Sequence, residues 1–203
     1  MSMIIGLTGP TGAGKTTVAN CFKSMNVAVI DADFVSRSII DTDKSILQKL
    51  IDEFGRDIVD ENGRLIRKLL ASRAFSSKTL TEKLNAIMLP AILSEIENLI
   101  YELSLNGQKL IVLDAPLLFE SGANNLCDIV ISVVASYDTR MKRILKRDLI
   151  TADMAKKRML VQKDTEFYLN NSDFILDGER DISELLDDAK QLILEIRKKI
   201  DCE

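Results

Sequence analysis

Two hydrophobic rhythms divide this chain. "MIIGLT" (Met3–Thr8) is β-branched and apolar on both parities, the pattern of a strand buried on both faces of a parallel sheet. After a short glycine-rich loop, "TTVANCFKSM" sets Val18, Phe22 and Met25 at helical spacing. "VAVID" (Val27–Asp31) is a second buried strand, ending in acid. From Asp33 to about Tyr101 the period is helical, with breaks expected near Asp41–Asp43, at Gly55, at Asn62 and Gly63, and at Pro90. "KLIVLDA" (Lys109–Ala115), "CDIVISVVA" (Cys127–Ala135) and "SDFIL" (Ser172–Leu176) read as three further strands. Two charged helices are expected at 138–147 and 151–163. The last segment, Asp181–Ile200, is amphipathic, with Leu185, Ala189, Ile193 and Ile196 on one face.

Strands alternating with helices predict an α/β fold, a parallel sheet of five strands covered by helices on both sides in three layers. The helical run between the second and third strands is too long for a simple crossover, so it reads as an inserted subdomain. The expected layout is one domain, 1–203. Its core is at about 1–32, 108–137 and 164–203, with a helical insertion at about 33–107 and a charged second insertion at about 138–163. No internal repeat, low-complexity run or Pro/Gly/Ser linker interrupts it.

Composition narrows the functional classes. The 203 residues are 46% hydrophobic and 29% charged, with a formal charge of −4. That balance gives no global basic field for nucleic acid. No apolar run approaches the roughly 20 residues that span a bilayer, and the start of the chain leaves no room for a signal peptide, so a cytoplasmic location is expected. Cys21, Cys127 and Cys202 lack metal-ligand spacing and read as free thiols, buried or terminal. Histidine is absent altogether, which excludes His-assisted nucleophiles and His metal sites; a general base must be a carboxylate, Lys, Tyr or Cys.

The sharpest chemistry lies in "GPTGAGKT", Gly9 to Thr16. Its glycines let successive N–H groups converge on an anion, and the following helix adds its dipole. Expected ATP contacts are Gly9, Thr11, Gly12, Ala13, Gly14, Lys15, Thr16 and Thr17, with Lys15 on the phosphates and Thr16 on Mg²⁺. Asp33, just past the second strand, is placed to receive the proton of an acceptor hydroxyl; its bland alternative is a helix cap pairing with Arg37. Asp114, ending the third strand, is a candidate magnesium carboxylate acting through water. Pro116 and Leu117 after it are candidates for an apolar substrate wall. Arg143 and Arg147 stand four residues apart, where two guanidiniums repel unless an anion lies between them; a closing lid over ATP would account for that, a solvated basic face being the alternative. "DENG" (Asp60–Gly63) is expected to be a turn.

No guanine-reading Asn-Lys-x-Asp segment follows a strand, so a compact kinase of the nucleoside-monophosphate-kinase type fits better than a GTPase. "VIDADFVSR", "FGRDIVDENGRLIRKLLASRAF", "APLLFESG", "RMKRILKRD", Gln162 and "SDFILDG" together resemble the dephospho-CoA kinase family over most of the chain. The resemblance implies a P-loop kinase fold and ATP-dependent phosphorylation of the ribose 3′-hydroxyl of dephospho-CoA, with Mg²⁺. It implies Asp33 as base, aided by Lys15 and Arg143, and Arg143 and Arg147 on ATP. Thr8, Asp33, Arg37, Arg67, Pro116 and Leu117 fall on the acceptor side. The implied partners are small molecules only, with no nucleic acid or membrane, and the chain is expected as a monomer or weak homo-oligomer. Three positions depart from the family pattern. Pro10 replaces a glycine, "DTDK" replaces a Pro-Gly, and Leu89-Pro90 stands where His-Pro is usual. The rival readings are another small-molecule kinase and a P-loop regulator that binds ATP as a conformational ligand.

Overall fold

β1 (Met3–Thr8) is the middle strand of an all-parallel sheet of order β2-β3-β1-β4-β5. The other strands are β2 (Ala28–Asp31), β3 (Leu110–Asp114), β4 (Ile129–Val134) and β5 (Phe174–Asp177). This is a computed structural model, and it describes residues 2–202. Every expected strand is present, within two residues at its ends. β3 is buried along its whole length, as an interior parallel strand must be.

The chain divides into two units, Met1–Asp31 with Tyr101–Glu203, and Ala32–Ile100. In the first, α1 (Lys15–Ser24) and α9 (Ile182–Cys202) pack against the sheet. Val18 and Phe22 meet Leu185, Ala189 and Ile193 over Ile5, Leu7 and Ile131 in one apolar cluster. Burying a side chain such as Phe22 stabilises by about 2–3 kcal/mol. The charged pair appears as α6 (Tyr137–Asp148) and α7 (Ala152–Leu160), sharing the small core of Ile144, Ala155 and Met159.

The second unit holds α2 (Ala32–Thr42), α3 (Lys44–Phe54), α4 (Arg67–Ala74) and most of α5 (Lys78–Leu105). Its own core gathers Ile46, Leu50 and Phe54 with Ile58, Leu70 and Met88. Arg73 grips both oxygens of Asp57, at 2.9 and 2.6 Å, and this pairing holds the Asp57 carboxyl below its usual range. Asp60 to Gly63 is a turn as expected, its Asp60 carboxylate accepting the Asn62 and Arg64 N–H groups.

Two expectations are corrected. Pro90 does not break the helix: α5 runs through it for 28 residues. An interior proline costs about 3 kcal/mol in a helix, which a segment this long, with Met88 and Ile96 buried, sustains. The second charged helix ends at Leu160, short of 163, and a further helix, α8 (Thr165–Asn171), lies where no element is expected. Asp164 caps it, accepting the Phe167 N–H at 2.8 Å. No helix among the described residues is long and apolar enough to cross a membrane. Cys21 and Cys127 are free thiols, whereas the Cys202 side chain lies outside the described residues.

Candidate active site

The loop between β1 and α1 takes a shape that only glycine permits. Gly9, Gly12 and Gly14 have φ of 140°, 83° and 117°. A Cβ on Gly9 would stand 2.2 Å from the carbonyl oxygen of Val133 in β4. Gly178, after β5, passes so close that its Cβ would lie 2.1 Å from the Ala13 oxygen. The ends of β4 and β5, which lie on one side of β1, therefore crowd the loop into place.

The loop's helix is left open. α3, α6, α7 and α8 are capped by the side chains of Asp43, Ser136, Thr151 and Asp164. α1 has no side-chain cap and no acid in its first turn. Its positive dipole end thus remains uncancelled, the condition for drawing in an anion.

Around this opening stand the acidic strand ends. Asp31 and Asp114 are register partners at the ends of β2 and β3. Asp114 is ion-paired with Lys15. These carboxylates and the hydroxyl of Thr16, in the first turn of α1, are oxygen donors of the kind Mg²⁺ takes, and it usually needs only one or two protein ligands beside phosphate and water. No cluster of three or more acidic, Cys or His side chains among the described residues forms an all-protein cage. Thr8 is fully buried and its hydroxyl has no hydrogen-bond partner, a group normally costing about 1–3 kcal/mol when left so.

Arg143, on α6, reaches the loop and donates to the carbonyls of Gly12 and Ala13 at 3.4 and 3.2 Å. Arg147 is turned elsewhere: it forms a two-point fork with Asp148 at 2.7 and 2.9 Å, and Arg158 joins the same carboxylate at 2.7 Å. These hydrogen bonds hold Asp148 below its usual range and raise Arg147. Glu179 accepts from the Ser136 N–H and the Thr139 hydroxyl and is lowered in consequence.

In the helical unit, Asp33 occupies the first turn of α2. Arg37 donates to the main-chain carbonyl of Asp33 at 3.0 Å rather than pairing with its carboxylate, as the bland alternative would have it. Arg67 donates to the Arg37 carbonyl and to Asp41, which brings the two predicted acceptor arginines together. Leu117 is exposed and Pro116 half-buried, whereas Leu118 is wholly packed inside. Two residues of the site have no role assigned from sequence, Arg140 and Gln162: their bonds converge on Thr11, and only the basic run and the lone Gln162 hint at it.

A glycine-rich loop on the central strand of a 2-3-1-4-5 parallel sheet, with Lys15 against an acidic neighbouring strand end, defines a P-loop kinase fold. The sequence profile of the dephospho-CoA kinase family matches residues 3–184, and the chain belongs to that family. A dephospho-CoA kinase from Corynebacterium diphtheriae is 38% identical over 185 residues, covering 90% of this chain and 92% of its own length. The solved dephospho-CoA kinase from Campylobacter jejuni superposes with a TM-score of 0.75 at 27% identity, covering 98% of this chain and 99% of that one. A Thermus thermophilus crystal structure gives 0.81 at 28% identity over 96% and 97%. The chain is accordingly a kinase of coenzyme A biosynthesis, with ATP as a substrate.

Proposed function

We propose that the chain transfers the γ-phosphoryl of Mg·ATP to the ribose 3′-hydroxyl of dephospho-CoA, giving CoA and ADP. The observation that carries the ATP half is the uncapped start of α1 behind three left-handed glycines, with Lys15 in its first turn. The loop N–H groups and Lys15 hold the phosphates. Thr16, and Asp114 through water, hold Mg²⁺, which when bound neutralises phosphate charge.

Asp33 accepts the proton of the incoming hydroxyl and aims its oxygen. It is the first acid beyond the Asp31 end of β2, and no ion pair engages its carboxylate among the described residues. Arg37 and Arg67 orient the acceptor, with Thr8, Pro116 and Leu117 as further contacts. Arg143 and Arg147, on a helix that closes as a lid, neutralise charge on the transferring group. Catalysis then comes from positioning and charge stabilisation.

The 33–107 segment thus serves as acceptor subdomain and 138–163 as lid, in a cytoplasmic chain acting alone or as a weak homo-oligomer. A coupled assay of ADP release tests the reading. Release that requires dephospho-CoA supports it; slow release indifferent to any acceptor points to an ATP-binding regulator, and release with a different acceptor to another small-molecule kinase.

A further inference from the structure

We infer that Arg140 and Gln162 are a positioning pair for the nucleotide loop: together they fix the main chain of Thr11, and the charge of Arg140 is left for the phosphates to neutralise. This rests on the ATP-binding reading above.

The geometry is closed on all sides. Arg140 Nε donates to the Thr11 carbonyl at 3.0 Å. Gln162 Oε1 accepts the Thr11 N–H at 3.0 Å and Arg140 Nη2 at 3.3 Å. Both main-chain polar groups of Thr11 are therefore held by side chains from α6 and from the turn after α7. The backbones touch as well, since a Cβ on Gly12 would stand 2.8 Å from the Arg140 carbonyl oxygen. Any displacement of Arg140 is passed to the loop.

The electrostatics single Arg140 out. Lys15 has Asp114, Arg147 has Asp148, and Arg143 interacts with Glu179. Arg140 is 5% exposed, yet no carboxylate among the described residues forms an ion pair with it. Burial lowers its pKa, and only the phenols of Tyr168 and Tyr137 act against that. A buried cation held solely by neutral acceptors is costly unless an anion arrives. Beside an anion-binding loop, the anion is the triphosphate. Gln162 suits this because its amide holds the guanidinium in place without discharging it, as a glutamate would.

Calorimetric titration of ATP with Mg²⁺, without acceptor, tests the pair. Gln162→Glu supplies an anion of nearly the same shape. It is expected to keep or raise the melting temperature while raising the ATP Kd about tenfold, the scale of one screened unit charge at short range. A purely structural Gln162 predicts affinity and melting temperature moving together, and a Kd within twofold of wild type overturns the inference. Arg140→Gln provides the same reading if the first variant does not fold: its Kd must also rise about tenfold, and unchanged affinity sinks the proposal. Failure of the wild-type chain to bind ATP counts against the functional reading instead.

Discussion

Lys15, in the first turn of α1, and Asp114, at the end of β3, form an ion pair across the mouth of the glycine-rich loop. The cation proposed for phosphate and the acid proposed for magnesium thus hold one another in position. Nucleotide with its metal can replace both halves of that pair at once, so neither charge is stranded. Lys15→Met should lower kcat/KM by about 10²–10³-fold. Steady-state kinetics with varied ATP checks this; a change of less than threefold would show that the lysine is only a structural partner.

Asp33→Asn separates base from cap. The carbonyl that receives Arg37 is unchanged by the substitution, so α2 should keep its start. kcat should fall by about 10²–10⁴-fold with ATP binding nearly intact. Normal turnover in that variant assigns the base elsewhere.

Gly178→Ala probes the loop from behind. The added methyl would meet the Ala13 oxygen at 2.1 Å, and the Val134 oxygen at 2.9 Å, both backbone atoms that cannot swing aside. Expected are a loss of about 1–3 kcal/mol in stability and a larger proportional loss of ATP affinity. Urea unfolding beside ATP titration distinguishes the two effects; wild-type affinity would mean that the loop does not depend on this contact.

Stability should form a plateau in pH. Glu179 and Asp148 have folded pKa values depressed by their hydrogen bonds, so their contribution is present above the unfolded carboxylate value and is lost as pH falls through the folded one. Burial pushes the Cys127 thiol up to about 12, so its contribution is whole below the unfolded thiol value and declines as pH rises toward the folded one. With no histidine in the chain, the melting temperature should stay flat between roughly pH 5 and 8. A step inside that window in a thermal-melt series would contradict these assignments. The same raised thiol should react slowly with alkylating reagents at neutral pH.

What could be read from sequence was what is local. The strands announce themselves because β-branched runs buried on both faces have no other use, and Gly9 to Thr16 encodes its own shape. The break expected at Pro90 is absent because the packing of a long helix outweighs a local rule about one missing N–H. α8 is not legible because its stretch is short and aromatic, with too few turns to show a helical period. Arg140 and Gln162 were beyond reach for a different reason. Their shared partner, Thr11, lies in a distant part of the chain, and only the fold brings the three together. The fork of Arg147 on Asp148 was equally hidden, since adjacent opposite charges seldom pair so closely.

The contact of Gly178 with Ala13 carries a consequence for how the chain comes into being. The glycine-rich loop leaves the ribosome well before the strand ends that press on it, Val133 and then Gly178. A nascent chain therefore holds the whole phosphate-binding motif long before it holds the shape. ATP becomes a ligand only once β5 and Gly178 have been made and have packed, and a chain truncated before β5 should carry the motif yet remain blind to the nucleotide.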